Sequence, residues 1–262
     1  PLHVALSHDE EIGCVGVRTL LDHMQGIDVR PMFCLVGEPT GMTVTTGHKG
    51  KIAVRITCRG REGHSAMAPR ALNAIHLACD MIAALRNEQK RLEAEGVRDD
   101  AYEIPYSTVH AGTIAGGTAL NIVPNLCTLD FEVRFPAAED PSAIIRNIAD
   151  AARSVEQEAR QIAGEASIEI EIVNSYPGLD TPVDAEAVEL IRSVVSSKTT
   201  QKVAFGTEGG LFTEKLNIPT VICGPGFMAQ GHKPDEYISV EQMKACDAML
   251  GKLVDFARRP IA

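Results

Sequence analysis

The chain has 262 residues, 45% of them hydrophobic, with 25 basic against 35 acidic side chains for a formal charge of −10. That is enough apolar material for a sizeable core, which excludes a disordered chain, and the acidic balance disfavours nucleic acid or an anionic membrane as partner because both need a basic face. No apolar run approaches the ~18 residues of a membrane-spanning helix, and the seven cysteines, odd in number and never closely paired, read as reduced thiols of a cytoplasmic protein.

In chain order, "LHVALS" reads as a short buried strand. A helix from about Gly13 to Met24 follows, with Val17, Leu20, Leu21 and Met24 on one face. "MFCLVG" is then a second buried strand, and strand, helix and strand of these lengths predict a βαβ unit. The pattern changes near Lys49. "KIAVRITCR" alternates, placing Ile52, Val54, Ile56 and Cys58 on one face and Arg55, Thr57 and Arg59 on the other, as in a strand with one wet side. A helix after Pro69 runs to about Glu95. Strands near "STVHAGTI" and "CTLDFEVRF" come next, then a helix from about Pro141 to Ala163 and the strand "SIEIEIV". The order βαββαβ over about 125 residues is a split-βαβ, ferredoxin-like unit.

After "NSYPGLDTP" the first grammar returns. A helix spans about Asp184 to Ser196, followed by the strand "KVAF", a helix over about Gly209 to Lys215, the strand "TVICG" and a final helix over about Val240 to Arg258. The fold class expected is therefore α/β. A catalytic domain with a parallel-rich sheet, residues 1–48 and 177–262, is interrupted by an inserted α+β domain, residues 49–176.

Ligands of a parallel α/β sheet bind at the carboxyl ends of its strands. Three polar features fall there: Asp9, Glu10 and Glu11 after the first strand, Glu38 after the second, and His232 in the loop after the last. Carboxylates with imidazole suit a borderline cation such as zinc, and a carboxylate left unligated beside it would serve as a general base. A helix N-terminus also favours three acids, through its dipole, so the spacing alone leaves both readings open.

The wording of these segments is more specific. "SHDEEIGCVG", "LVGEPT", "HKGKIAVRITCRGREGHSAMAP", "ALNIVPN", "GTEGG" and "GPGFMAQGHKPDEYI" occur in the order found in the M20 family of metal-dependent aminoacylases and exopeptidases. Within that family the chain most resembles the acetylornithine deacetylases. The resemblance implies an amide hydrolase with two divalent metals, zinc or cobalt, that releases acetate from N2-acetylornithine in arginine biosynthesis. It also implies a homodimer formed through the inserted domain. It gives Glu10 the role of general base, and makes Glu11, Glu38 and His232 metal ligands, His232 partnering Glu11. His64 would polarise the scissile carbonyl, often from a partner subunit. Asn121 and Arg134 would hold the substrate carbonyl and α-carboxylate, and Thr207, Glu208, Gly224 and Gly226 would line the pocket. His48, in "HKG", receives no chemical role.

The family's His-x-Asp motif and bridging aspartate do not occur in this chain. The expectation is a fragment that holds part of the metal cage and is inactive by itself. Alternative activities are those of a succinyl-diaminopimelate desuccinylase or a general N-acyl-amino-acid aminoacylase. In another class stands a non-catalytic dimerisation module.

Overall fold

The computed structural model describes residues 2–27, 30–195 and 197–259. The chain forms two compact units. One comprises residues 1–50, 100–103 and 176–262; the other comprises 51–99 and 104–175.

In the first unit, β1 (Cys34–Val36), β2 (Val44–His48), β9 (Leu179–Asp180), β10 (Thr200–Val203) and β11 (Thr220–Ile222) build a sheet in the order β1-β11-β2-β10, with β9 on β2. The pairings β1–β11 and β2–β10 are parallel, whereas β2 meets β11 and β9 antiparallel. The sheet is thus mixed, and β2, hidden in the polar-looking "VTTGH", is a strand that periodicity did not reveal. Neighbouring side chains of β1 enter different clusters. Leu35 joins Val44, Val221, Ile191 and Leu253 under α4 (Glu186–Val195) and α6 (Val240–Ala257). Cys34 joins Leu21, Leu211 and Phe212 under α1 (Val17–Gly26) and α5 (Gly209–Leu216). Successive strand residues point to opposite faces, so helices cover both sides. Ser196, the expected end of α4, lies outside the described residues.

The expected strand at "LHVALS" is not formed. Leu2, Val4 and Leu6 stay 59%, 79% and 87% exposed, and no described strand pairs with them, so neither hydrogen bonding nor burial holds the segment extended. The βαβ unit predicted there is therefore absent, and β1 finds its parallel partner in β11 instead.

The second unit follows the alternation closely. β3 (Gly50–Arg59), β5 (Thr108–Gly116), β7 (Leu126–Phe135) and β8 (Ser167–Tyr176) form a sheet in the order β5-β7-β3-β8, and the two-residue strands β4 (Gly63–His64) and β6 (Ile122–Val123) pair separately. Ile52, Val54 and Ile56 of β3 and Leu129, Phe131 and Val133 of β7 share one core with Leu77, Met81 and Leu85 of α2 (Ala74–Glu95) and Ile144 and Ile148 of α3 (Pro141–Ala159). Each helix starts on a side-chain cap. Asn73 accepts the Ile75 amide and Asp140 accepts the Ser142 amide, both at 2.9 Å, with Pro141 at the first helical position. Ile148→Val, one methylene removed from this core, is expected to cost about 1 kcal/mol in urea unfolding with an unchanged slope.

Outside this core, Arg61 forks onto Glu165, with both nitrogen–oxygen distances 2.7 Å. Those hydrogen bonds hold the Glu165 carboxyl at about 2, against an ordinary value of 4.5. The folded value is the lower one, so the pair's contribution is fully present above about pH 4.5 and is lost as pH falls toward 2. Glu165→Gln should lower the melting temperature slightly at neutral pH and converge on the parent as pH falls toward 2, which flattens the acid fall in thermal scans; both groups are solvent-exposed, so the effect is small.

Candidate functional site

The acidic triplet sits in a tight turn, not on a helix. Asp9 has φ 55°, Gly13 φ 106° and Cys14 φ 57°, and the amides of Gly13 and Cys14 both donate to the Glu10 carbonyl at 2.9 Å. Helix α1 begins only at Val17 and has no acid in its first turn, so the dipole reading of the triplet does not apply. The turn sends the three acids different ways. Asp9 reaches His8 at 3.1 Å, at the surface. Glu10 is half-buried, with the Cys14 thiol 3.6 Å from its Oε1. Glu11 is exposed, and its Oε2 lies 3.6 Å from His232 Nε2.

Glu38 follows β1 by two residues, and burial pushes its carboxyl up to about 8, with Glu10, Glu208 and Glu11 adding repulsion in that order. Burial, then the Glu11 charge, raises Glu10 as well. Burial, followed by Glu10, raises Glu208, even though Glu208 Oε2 accepts the Ser7 hydroxyl at 2.8 Å. Glu208 Oε1 is buried with no hydrogen-bond partner. It does not cap α5. The Gly209 amide donates instead to Thr207 Oγ1 at 3.0 Å, and the Gly210 amide to His48 Nε2 at 3.1 Å. His48 is fully buried, and its Nδ1 faces the Lys49 carbonyl at 2.9 Å, so the ring carries its proton on Nδ1 and accepts at Nε2. Thr207 is buried within its own turn, and Gly224 and Gly226 lie buried in the loop after β11.

In this unit the fold therefore gathers Glu10, Glu11, Glu38, Glu208 and His232. Four carboxylates that repel one another, one with an unsatisfied buried oxygen, are a donor set that a divalent cation relieves. Glu11, Glu38 and His232 are suitable ligands in kind. In number they are few: among the described residues no three His, Cys, Asp or Glu side chains are grouped to hold an ion by themselves.

The second unit brings His64 and Asn121 together. Strands β4 and β6 pair His64 with Ile122, and the Ser65 amide donates to the Asn121 carbonyl at 2.9 Å. His64 Nδ1 accepts the Ala66 amide at 3.1 Å, capping the 3₁₀ turn Ser65–Arg70. An Nδ1 that accepts leaves the neutral ring's proton on Nε2, directed away from the cap as a donor. Arg134 lies apart from this pair in β7, its guanidinium on Glu132 at 3.0 and 3.3 Å.

Sequence reasoning passed over Ser7, which bonds Glu208, and Thr40, which braces the Glu38 loop. The "HKG" phrase did flag His48, but only the distant Gly210 amide reveals what its ring does.

Residues 46–160 match the peptidase dimerisation domain of the M20 family. The chain is 31% identical over 254 residues to an acetylornithine deacetylase of Myxococcus xanthus, covering 97% of this chain and 64% of the relative. It is 30% identical over 256 residues to one of Proteus mirabilis, covering 97% and 63%. It thus spans just under two thirds of the length of these curated relatives. Among solved structures, a tripeptidase from Staphylococcus aureus superposes with a TM-score of 0.69 at 20% identity, over 94% of this chain and 63% of the other. Human carnosine dipeptidase 1 does so at 0.65 and 14%, over 94% and 65%. These two show the shared fold. Residues 46–160 thus carry the M20 family's peptidase dimerisation domain, and the chain is similar to acetylornithine deacetylases along almost its whole length.

Proposed function

We propose that the protein carrying this chain hydrolyses the amide of an N-acyl amino acid, with N2-acetylornithine as substrate and ornithine and acetate as products. The observation that supports this reading is the gathering of Glu10, Glu11, Glu38, Glu208 and His232 at one end of one sheet, in a family that cleaves amides. Glu11, Glu38 and His232 would hold zinc or cobalt, with further ligands completing the set, and the ions supply carbonyl polarisation and a more acidic water.

The chain's own residues do the rest. Glu10, half-buried and held by its backbone turn, takes the proton of the attacking water and passes it to the leaving amine. His64 donates from Nε2 to the developing oxyanion. Arg134 exchanges Glu132 for the substrate α-carboxylate in a bidentate pair. The working form is a cytoplasmic homodimer joined through the dimerisation domain.

The test is a substrate panel with the full-length, metal-loaded protein: N2-acetylornithine, N-succinyl-diaminopimelate and N-acetylmethionine. The highest kcat/KM is expected for N2-acetylornithine. Preference for either of the others moves the protein to a desuccinylase or a general aminoacylase. No turnover of any of them sinks the enzymatic reading.

A further inference from the structure

The loop that carries Glu38 and the loop that leads to His232 are tied together by backbone bonds, and one buried side chain adds to the tie. Beyond the parallel pairing of β1 with β11, the two chains keep bonding. The Cys223 amide donates to the Val36 carbonyl at 3.0 Å, Met42 to Gly224 at 2.9 Å and Gly41 to Gly226 at 2.7 Å. Thr40 sits at the centre and is only 5% exposed. Its amide turns back across Pro39 onto the Glu38 carbonyl at 2.7 Å, fixing the backbone of Glu38. Its hydroxyl oxygen accepts the Gly224 amide at 3.1 Å. Its carbonyl accepts the Thr43 amide at 3.1 Å and Gln201 Nε2 at 3.4 Å.

The approach is close. A β-carbon on Gly224 would lie 2.6 Å from the Glu38 carbonyl oxygen and 2.9 Å from its nitrogen, so only glycine lets the loops meet. From Gly226 onward the second loop is internally braced. Phe227 donates to Gln230 Oε1 and Gln230 to the Phe227 carbonyl, and the His232 amide donates to Glu236. His232 lies eight residues beyond Gly224 on this loop.

We propose that Thr40 is a positioning residue whose hydroxyl sets the separation of the Glu38 and His232 loops, and through it the affinity for metal. The inference rests on the reading of Glu38 and His232 as ligands. An outer-shell hydrogen bond of this kind is worth roughly 10–100-fold in metal affinity. Thr40→Val keeps the shape of the side chain and deletes the hydroxyl, leaving the buried Gly224 amide unpaired; Thr40→Ser keeps the hydroxyl.

The test is Co²⁺ titration of full-length protein followed by absorbance, with circular dichroism of each metal-free variant. Thr40→Val should bind Co²⁺ roughly 10–100-fold more weakly with a folded spectrum, and Thr40→Ser should restore wild-type binding. Gly224→Ala, which forces the loops apart from the other side, should weaken binding likewise, and decides the matter if the valine variant fails to fold. Wild-type affinity in a folded Thr40→Val, or in Gly224→Ala, overturns the proposal alone. A wild-type protein that takes up no Co²⁺ overturns the ligand reading and the proposal with it.

Discussion

Glu10→Gln in the full-length, metal-loaded protein should lower kcat for N2-acetylornithine by roughly 10³–10⁴-fold while metal content stays unchanged. The amide of glutamine preserves size and cannot take a proton. The turn that holds residue 10 is made by its carbonyl, which receives the Gly13 and Cys14 amides, so the substitution leaves the backbone alone. It also removes one charge from a crowded set of carboxylates, and the variant should be no less stable than the parent. Steady-state kinetics with metal analysis checks this; turnover near the parent's would remove Glu10 from the role of base.

The second large effect is expected at His64. Its ring has two separable jobs, one at each nitrogen. Nδ1 caps the 3₁₀ turn through the Ala66 amide, and Nε2–H is the proposed oxyanion donor. His64→Asn places an oxygen where it still accepts an amide at the cap but offers no donor at the Nε2 position. It should cost about 10²–10³-fold in kcat with little change in KM or melting temperature. His64→Ala loses both jobs and should show the same kinetic defect plus a small loss of stability. A kinetic loss in the alanine variant alone would assign His64 to the cap.

How much of this could be read from the sequence depended on what each segment buries. The dimerisation domain was legible because β3 and β7 have one wet face each, so Ile52, Val54, Ile56 and Leu129, Phe131, Val133 write a period of two into the chain. The sheet of the first unit was read less well. β2 is buried along its whole length, yet its residues are Val44, Thr45, Thr46, Gly47 and His48, polar groups satisfied by distant partners that no local pattern announces. "LHVALS" erred the other way: it reads as a short buried strand, and no described neighbour supplies the hydrogen bonds that would make one. At the candidate site the carboxylates and His232 were visible as residue types at strand ends. The residues that hold or touch them were not. Thr40, His48 and Ser7 hydrogen-bond to Gly224, Gly210 and Glu208, more than 150 positions away in each case.

The short excursion of residues 100–103 has a practical bearing on how this protein can be recombined. Tyr102 is buried in the first unit, with the ammonium groups of Lys49 and Lys202 5.5 and 5.7 Å from its ring centre, although the chain on either side of it belongs to the second. The chain thus crosses between units four times, not twice. A dimerisation domain exchanged between relatives as one uninterrupted cassette would take this tyrosine with it and remove the ring that both lysines face. A graft that keeps the host's own residue 102 together with 49 and 202 respects the true seam.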